Sequence, residues 1–352
     1  MAKRARVIEV AEADRLEGFA HPRETQRLIG QDEALDRAAR AIRAGRPPSA
    51  WLIAGPPGIG KATLAYRIAR YLLAYGVSDK GPADLSVPDK DADAMRVAAG
   101  SHPGLLLLKR GINPDTGKLM SVLSVGEVRR LGNFFGMTSG AGGWRVAIVD
   151  TADDMNDAAA NALLKLLEEP PSRAMLLVLS NTPGRLLPTI RSRCQRLNLR
   201  PLPQKALEDE LTRLLPETKP KERASLARLA GGSLGIALQL SSGEGMALAE
   251  EADRLIDQSS APDIAALIAL GDRLGRMTDG LETLGGFLTQ ALINRIRAKA
   301  VANAPHLDRW VAVWERLNAS FARSNALHLD PRQTLLSAAR AMNDVTRRAG
   351  AV

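Results

Sequence analysis

The rhythm of hydrophobic and polar positions changes once along this chain. Up to about residue 200, short apolar runs alternate with longer stretches of helical spacing, the order that builds a parallel α/β sheet. Trp51-Leu-Ile-Ala54 is apolar and runs into glycines, which predicts a buried strand. Lys61 to Tyr75 follows with Ile68, Leu72 and Tyr75 on one helical stripe. Leu105–Leu108 predicts a second strand and Val125–Phe135 a helix. Val146-Ala-Ile-Val149, followed by Asp150, predicts the central strand. Residues 154–169 place Ala and Leu at helical spacing, and Pro170-Pro171 stops that helix. Met175–Leu179 predicts a further strand, Leu186–Arg191 a short helix and Cys194–Leu199 a last strand. Residues 76–100, rich in Asp, Pro and Gly, read as a loop or a poorly ordered insertion, and Asn113–Lys118 as a hairpin tip.

Beyond Pro201 the pattern is helical throughout. Residues 203–243 predict a small helical unit broken at Gly231-Gly232, and the remainder predicts a bundle with Leu288, Leu292 and Ile296 on one stripe. Trp310 and Trp314, four apart, share a face that predicts bundle core, with a subunit interface as the other reading.

Composition narrows the class. Aromatic residues make up only 3% of the chain while Ala and Leu abound, so the core is expected from helices. The net charge of +9 favours nucleic acid or acidic partners. The lone Cys194 excludes an intramolecular disulfide and a cysteine-based zinc cluster. The opening residues are basic but interrupted by acids and lack the apolar stretch of a signal peptide, and no apolar run is long enough to span a bilayer. A cytoplasmic protein with no membrane partner is the expectation.

Gly55-Pro-Pro-Gly-Ile-Gly60-Lys61 fits the phosphate-loop pattern G-x-x-x-x-G-K, with a strand before it and a helix after it. Gly55, Gly58 and Gly60, in the loop they share with Pro56, let backbone N–H groups turn toward a phosphate, the helix N-terminus adds its positive end, and Lys61 neutralises β/γ oxygens. The next position, Ala62, lacks the hydroxyl that ligates Mg²⁺ in such loops. Thr63 lies one residue further, rotated by about 100°, and cannot substitute. A nucleotide such as ATP can still be held there, with its metal poorly held or absent. Asp150 ends a central strand, where a carboxylate orients Mg²⁺ through water. Thr151 stands where hydrolysing enzymes of this type place a glutamate, and Asp153 is too far along to replace it. Two gaps, at the metal ligand and at the base, predict slow or absent hydrolysis.

Together these residues resemble the clamp-loader subfamily of AAA+ proteins. The resemblance rests on Leu28-Ile-Gly-Gln-Asp32, the phosphate loop, the run Asn161–Pro171, the segment Leu186–Cys194 with its Ser192-Arg193-Cys194 triplet, and Gly232-Ser-Leu-Gly235. It implies an AAA+ P-loop domain over 1–202, a small helical lid over 203–245 and an all-α collar over 246–352. It also implies a hetero-oligomer that loads a ring-shaped sliding clamp onto primed DNA, with ATP-hydrolysing motor subunits of the gamma/tau kind and a delta subunit as partners. Within that resemblance Arg193 is the arginine that reaches a neighbour's γ-phosphate, and Arg191 is a competitor for the role. Motor members place an arginine where this chain has Gly235. With Ala62 and Thr151 that makes three losses of own-site chemistry beside a retained trans-acting arginine, the pattern of a non-hydrolysing member. The family often carries a four-cysteine zinc module where this chain has residues 76–100, which hold no cysteine, so no zinc is expected; His102 reads as structural. Three other readings are an ATP-hydrolysing motor subunit working through Lys61 and Asp150, a small-molecule P-loop kinase, and a direct DNA binder. The missing metal ligand and base weigh against the first. The two long motifs have no place in the second, and the third lacks a helix-turn-helix or zinc-finger spacing.

Overall fold

The computed structural model describes residues 16, 18–111, 120, 122–136, 143–242, 244–277, 280–327 and 329–349; the expected hairpin tip at 113–118 and the opening residues lie outside them. The chain divides between Leu202 and Pro203 into two compact units. The first is built on five strands: β1 (Ala50–Ala54), β2 (Leu105–Leu108), β3 (Arg145–Val149), β4 (Ala174–Ser180) and β5 (Gln195–Asn198). They form one sheet in the order β2-β3-β4-β1-β5, and every pairing is parallel. β1 and β4 are buried at every position, which explains their unbroken apolar runs.

Alternation along the central strands feeds two cores. Trp51, Ile53, Val146, Ile148, Met175, Leu177 and Leu179 face one side, against α1 (Asp32–Arg43), α2 (Lys61–Tyr75) and α3 (Ala92–Ala98). Leu52, Ala147, Val149, Leu176 and Val178 face the other, against α4 (Val125–Gly136), α5 (Asp157–Glu168) and α6 (Pro188–Arg193). The expected α/β sheet with flanking helices is present. α5 begins one residue after Asn156, whose side chain accepts from the Ala159 N–H.

The reading of residues 76–100 as a loop or poorly ordered insertion needs correcting. This stretch contains α3 and buries Leu85, Val87, Ala94 and Val97 in the first core. Polar groups fix it there. Arg67 of α2, itself buried, pairs with Asp84 at 2.8 Å and donates to the Gln26 carbonyl at 2.5 Å. The Gln26 side chain in turn accepts from the Val87 N–H and donates to its carbonyl. Tyr71 donates to the Ser78 carbonyl, and Arg43 to the Gly81 carbonyl. The ring of His102 sits 3.2 Å from Asp93 and accepts from the Gly104 N–H, a structural pairing.

The second unit shows only helices among its described residues. α7 (Gln204–Leu214), α8 (Pro220–Leu229) and α9 (Leu234–Ser241) come first. Gly231 and Gly232 both take positive φ, and Ser233 caps α9. α10 (Gly245–Asp257), α11 (Ile264–Leu274), α12 (Gly280–Val301), α13 (Leu307–Leu327) and α14 (Pro331–Ala349) complete it. Leu288, Leu292 and Ile296 are buried, as is Trp310, while Trp314 donates its indole N–H to the Thr289 carbonyl at 3.0 Å. Trp314 therefore ties α13 to α12. No helix among the described residues is long and apolar enough to cross a membrane.

Candidate nucleotide site and surface arginine

Ligand chemistry in an open parallel sheet gathers at the carboxyl ends of the strands. Here the ends of β1, β4 and β3 lie side by side, carrying Gly55, Ser180 and Asp150. The Gly55 N–H donates to the Ser180 carbonyl at 3.1 Å, and the Asp150 N–H to the Leu108 carbonyl at 2.8 Å. Gly55, Gly58 and Gly60 all have positive φ, and Gly60 in the left-handed region starts α2. A side chain at Gly55 would in addition collide with the Leu199 carbonyl and Ile59.

Lys61 is only 6% exposed, and its ammonium donates to the carbonyls of Gly55 at 2.8 Å and Pro56 at 2.6 Å. Burial lowers its pKa to about 8, while the charges of Asp150 and Asp153 pull it back upward. The glycine loop, the α2 N-terminus and this lysine fit a polyphosphate. The donor set does not fit a loop-bound Mg²⁺: Ala62 has no oxygen, and its methyl packs partly buried against the core. Among the described residues no group of three His, Cys, Asp or Glu could hold a metal ion.

Asp153 occupies a place that its sequence position does not reveal. Its carboxylate receives the hydroxyls of Ser180 at 2.8 Å and Thr182 at 2.9 Å, and the N–H groups of Asn181 at 2.5 Å and Thr182 at 3.2 Å. The acidic turn after β3 is thus bolted to the polar turn after β4. Thr151, where a water-positioning glutamate would stand, donates instead to Asp154 at 3.2 Å. Burial raises the Asp154 pKa, which Arg110, 3.2 Å away, counteracts. Glycine and glutamine of the Leu28–Asp32 motif have structural tasks. Gly30 has φ 62 and leaves no room for a Cβ against Leu202. The Gln31 side chain binds both the N–H and the carbonyl of Arg200, at 3.1 and 2.8 Å.

Arg193 closes α6 and is exposed, with its side chain at 37%. One guanidinium nitrogen lies 2.9 Å from Glu168, the last residue of α5, and the other donates to the Thr189 carbonyl at 3.2 Å. Arg191, two residues earlier, is half-buried, and its Nε has no hydrogen-bond partner among the described residues. Cys194 is buried, and burial raises its thiol pKa to about 11.

A strand, glycine loop and helix carrying Lys61, with β3 leading into Asp150 on the far side of β4, define a P-loop module of AAA+ type. Residues 30–203 match the family model described as DNA polymerase III, delta subunit. The chain is 39% identical to DNA polymerase III subunit delta' of Pseudomonas aeruginosa over 52% of its length and 53% of the relative's. It is 34% identical to the Escherichia coli subunit of that name over 59% of each chain. A 26% identity to DNA polymerase III subunit tau of Escherichia coli extends over 78% of this chain and 40% of that one. Over its P-loop module the chain is similar to DNA polymerase III delta' subunits, and it spans little more than half the length of the curated delta' relatives it matches.

Proposed function

We propose that this chain is a delta-prime-type clamp-loader subunit that hydrolyses little or no ATP itself and lends Arg193 to a neighbouring subunit's ATP. Exposure of the Arg193 guanidinium carries the reading: a cation meant for another chain's phosphate has to stand at the surface. Its pairing with Glu168 is half-exposed at both ends, and such pairs contribute about 0–1 kcal/mol, so a phosphate can displace or share it. Arg191 is the weaker candidate because it is half-buried. Ala62 and the Thr151–Asp154 bond support the other half of the proposal, a pocket that can take a nucleotide and lacks the groups to fire.

In this reading residues 203–245 form a lid and 246–352 a collar. The partners are gamma/tau-type motor subunits, a delta subunit, a sliding clamp and primed DNA in the cytoplasm. The deciding experiment is the ATPase of the assembled complex. Arg193→Ala should leave this chain folded and lower DNA- and clamp-stimulated turnover at least tenfold, a lower bound set well beneath the range of about 10³–10⁵ known for arginine fingers in GTPases. Wild-type turnover in complexes carrying Arg193→Ala would remove the proposal.

A further inference from the structure

We infer that Glu168 is a positioning residue for Arg193, fixing the guanidinium at the rim of this chain so that its remaining N–H groups are aimed outward in advance. The inference rests on the proposed trans role of Arg193. It starts from the two contacts that hold the guanidinium: the Glu168 carboxylate on one terminal nitrogen and the Thr189 carbonyl on the other. A guanidinium has five N–H donors in a rigid fork. These two contacts engage one donor on each terminal nitrogen and leave three, Nε–H among them, for an incoming phosphate.

The holding groups come from two elements of the first unit. Glu168 ends α5, whose other end is fixed by the Asn156 cap and whose face is buried through Ala159, Ala160, Leu163 and Leu167. Thr189 lies in the first turn of α6, anchored by buried Ile190. Both helices pack in the same core, on the same side of the sheet. The arginine is thereby referenced to the sheet through two rigid helices. Left alone, a long arginine side chain at a helix end samples many rotamers and gives up that freedom when it docks. Donors placed before the charge develops need no reorganisation during reaction. Glu168 belongs to the Asn161–Pro171 run, and this contact gives its terminal carboxylate a task that helix propensity does not require.

The test is a double-mutant cycle read in the assembled complex with ATP, primed DNA and clamp. Glu168→Ala should lower kcat about two- to fivefold, the range of an exposed ion pair, with KM for ATP little changed. Glu168→Gln, which keeps an acceptor oxygen, should recover most of the loss. In the Arg193→Ala background Glu168→Ala should add nothing, because it acts only through the arginine. Thermal unfolding of each isolated variant reports whether the fold is intact. An additive loss in the double variant, or unchanged or raised turnover with Glu168→Ala alone, would overturn the positioning role while leaving that of Arg193 standing. No effect of Arg193→Ala itself would instead sink the trans-arginine reading, and this inference with it.

Discussion

At the scale of single residues, Lys61 is where the chemistry of the site and the stability of the fold meet. Its ammonium is held by two loop carbonyls in a place where burial opposes charge, and burial wins over the nearby Asp150 and Asp153, bringing the pKa from 10.5 to about 8. The sign of the linkage follows. Below pH 8 folded and unfolded chains both hold the proton, and the cost of burying the charge is fully present. Between about pH 8 and 10.5 the unfolded chain holds more protons, so stability rises with pH. Above that window the penalty is gone. Its full size is on the order of 3 kcal/mol, from about 1.4 kcal/mol per unit. The unfolding free energy of the wild type should therefore gain on that of Lys61→Met as pH climbs through this window, measured by urea titration at several pH values. A difference that stays flat from pH 7 to 10.5 would contradict the assigned environment. Asp153 illustrates the opposite use of charge. Its carboxylate satisfies two hydroxyls and two N–H groups on the β4 turn, and it holds that turn fixed.

At the scale of elements, the insertion between α2 and β2 has its own account of stability. Arg67 reaches Asp84 and Gln26, Gln26 reaches Val87, and the apolar residues between them enter the core. Truncating Arg67 removes the partner of the part-buried Gln26 and Asp84 carbonyls and empties the buried site of the guanidinium, at a cost of about 1–3 kcal/mol. Arg67→Ala should lose that much in chemical denaturation, whereas a zinc chelator should leave the melting temperature of the wild type unchanged. A chelator-induced drop, or stoichiometric zinc in the purified chain, would contradict this account. The same segment marks the limit of sequence reading. β1, β3 and β4 are legible because burial on both faces makes their apolar runs continuous, and α5 because its stripe ends in a double proline. The insertion defeats such reading because its anchors are polar contacts to residues 38 and 61 positions away along the chain, which no local periodicity reports. α1 escapes it because its buried face is mostly alanine. The phosphate loop and Asp150 are legible as motifs, each recognisable from its own residues at the end of an apolar strand, with β4 between the two strands. The Asp153 clamp and the Glu168–Arg193 pair are not, because each joins side chains brought together only by the packing of the module.

At the scale of the molecule, the question is whether repairing this chain's own site would make it an ATPase. Two of the gaps lie in the first unit and are each one residue wide: a hydroxyl at position 62 and a carboxylate at position 151. Ala62→Ser restores an oxygen at the start of α2, beside Lys61 and the glycine loop. Thr151→Glu gives up the bond to Asp154 and offers a base next to Asp150. Binding and turnover should respond differently to these changes. A metal ligand acts on the bound nucleotide directly, so the double variant should bind ATP more tightly in Mg²⁺ than in EDTA, by a margin the wild type lacks. Turnover also needs charge offset at the γ-phosphate from outside the site, and this chain's own Arg193 stands at its surface, tied to Glu168 and Thr189. A finger of that kind is worth about 10³–10⁵ in rate, so one repaired protomer remains at background without a partner to supply it. Titration with a fluorescent ATP analogue, with and without Mg²⁺, and phosphate release from the isolated chain measure the two quantities separately. The expected pair is a metal-dependent gain in affinity with no gain in turnover. Robust hydrolysis by the isolated wild-type chain would instead identify a motor subunit that needs neither the loop hydroxyl nor the glutamate base, and the division of labour between a silent pocket and an outward-facing arginine would no longer describe this molecule.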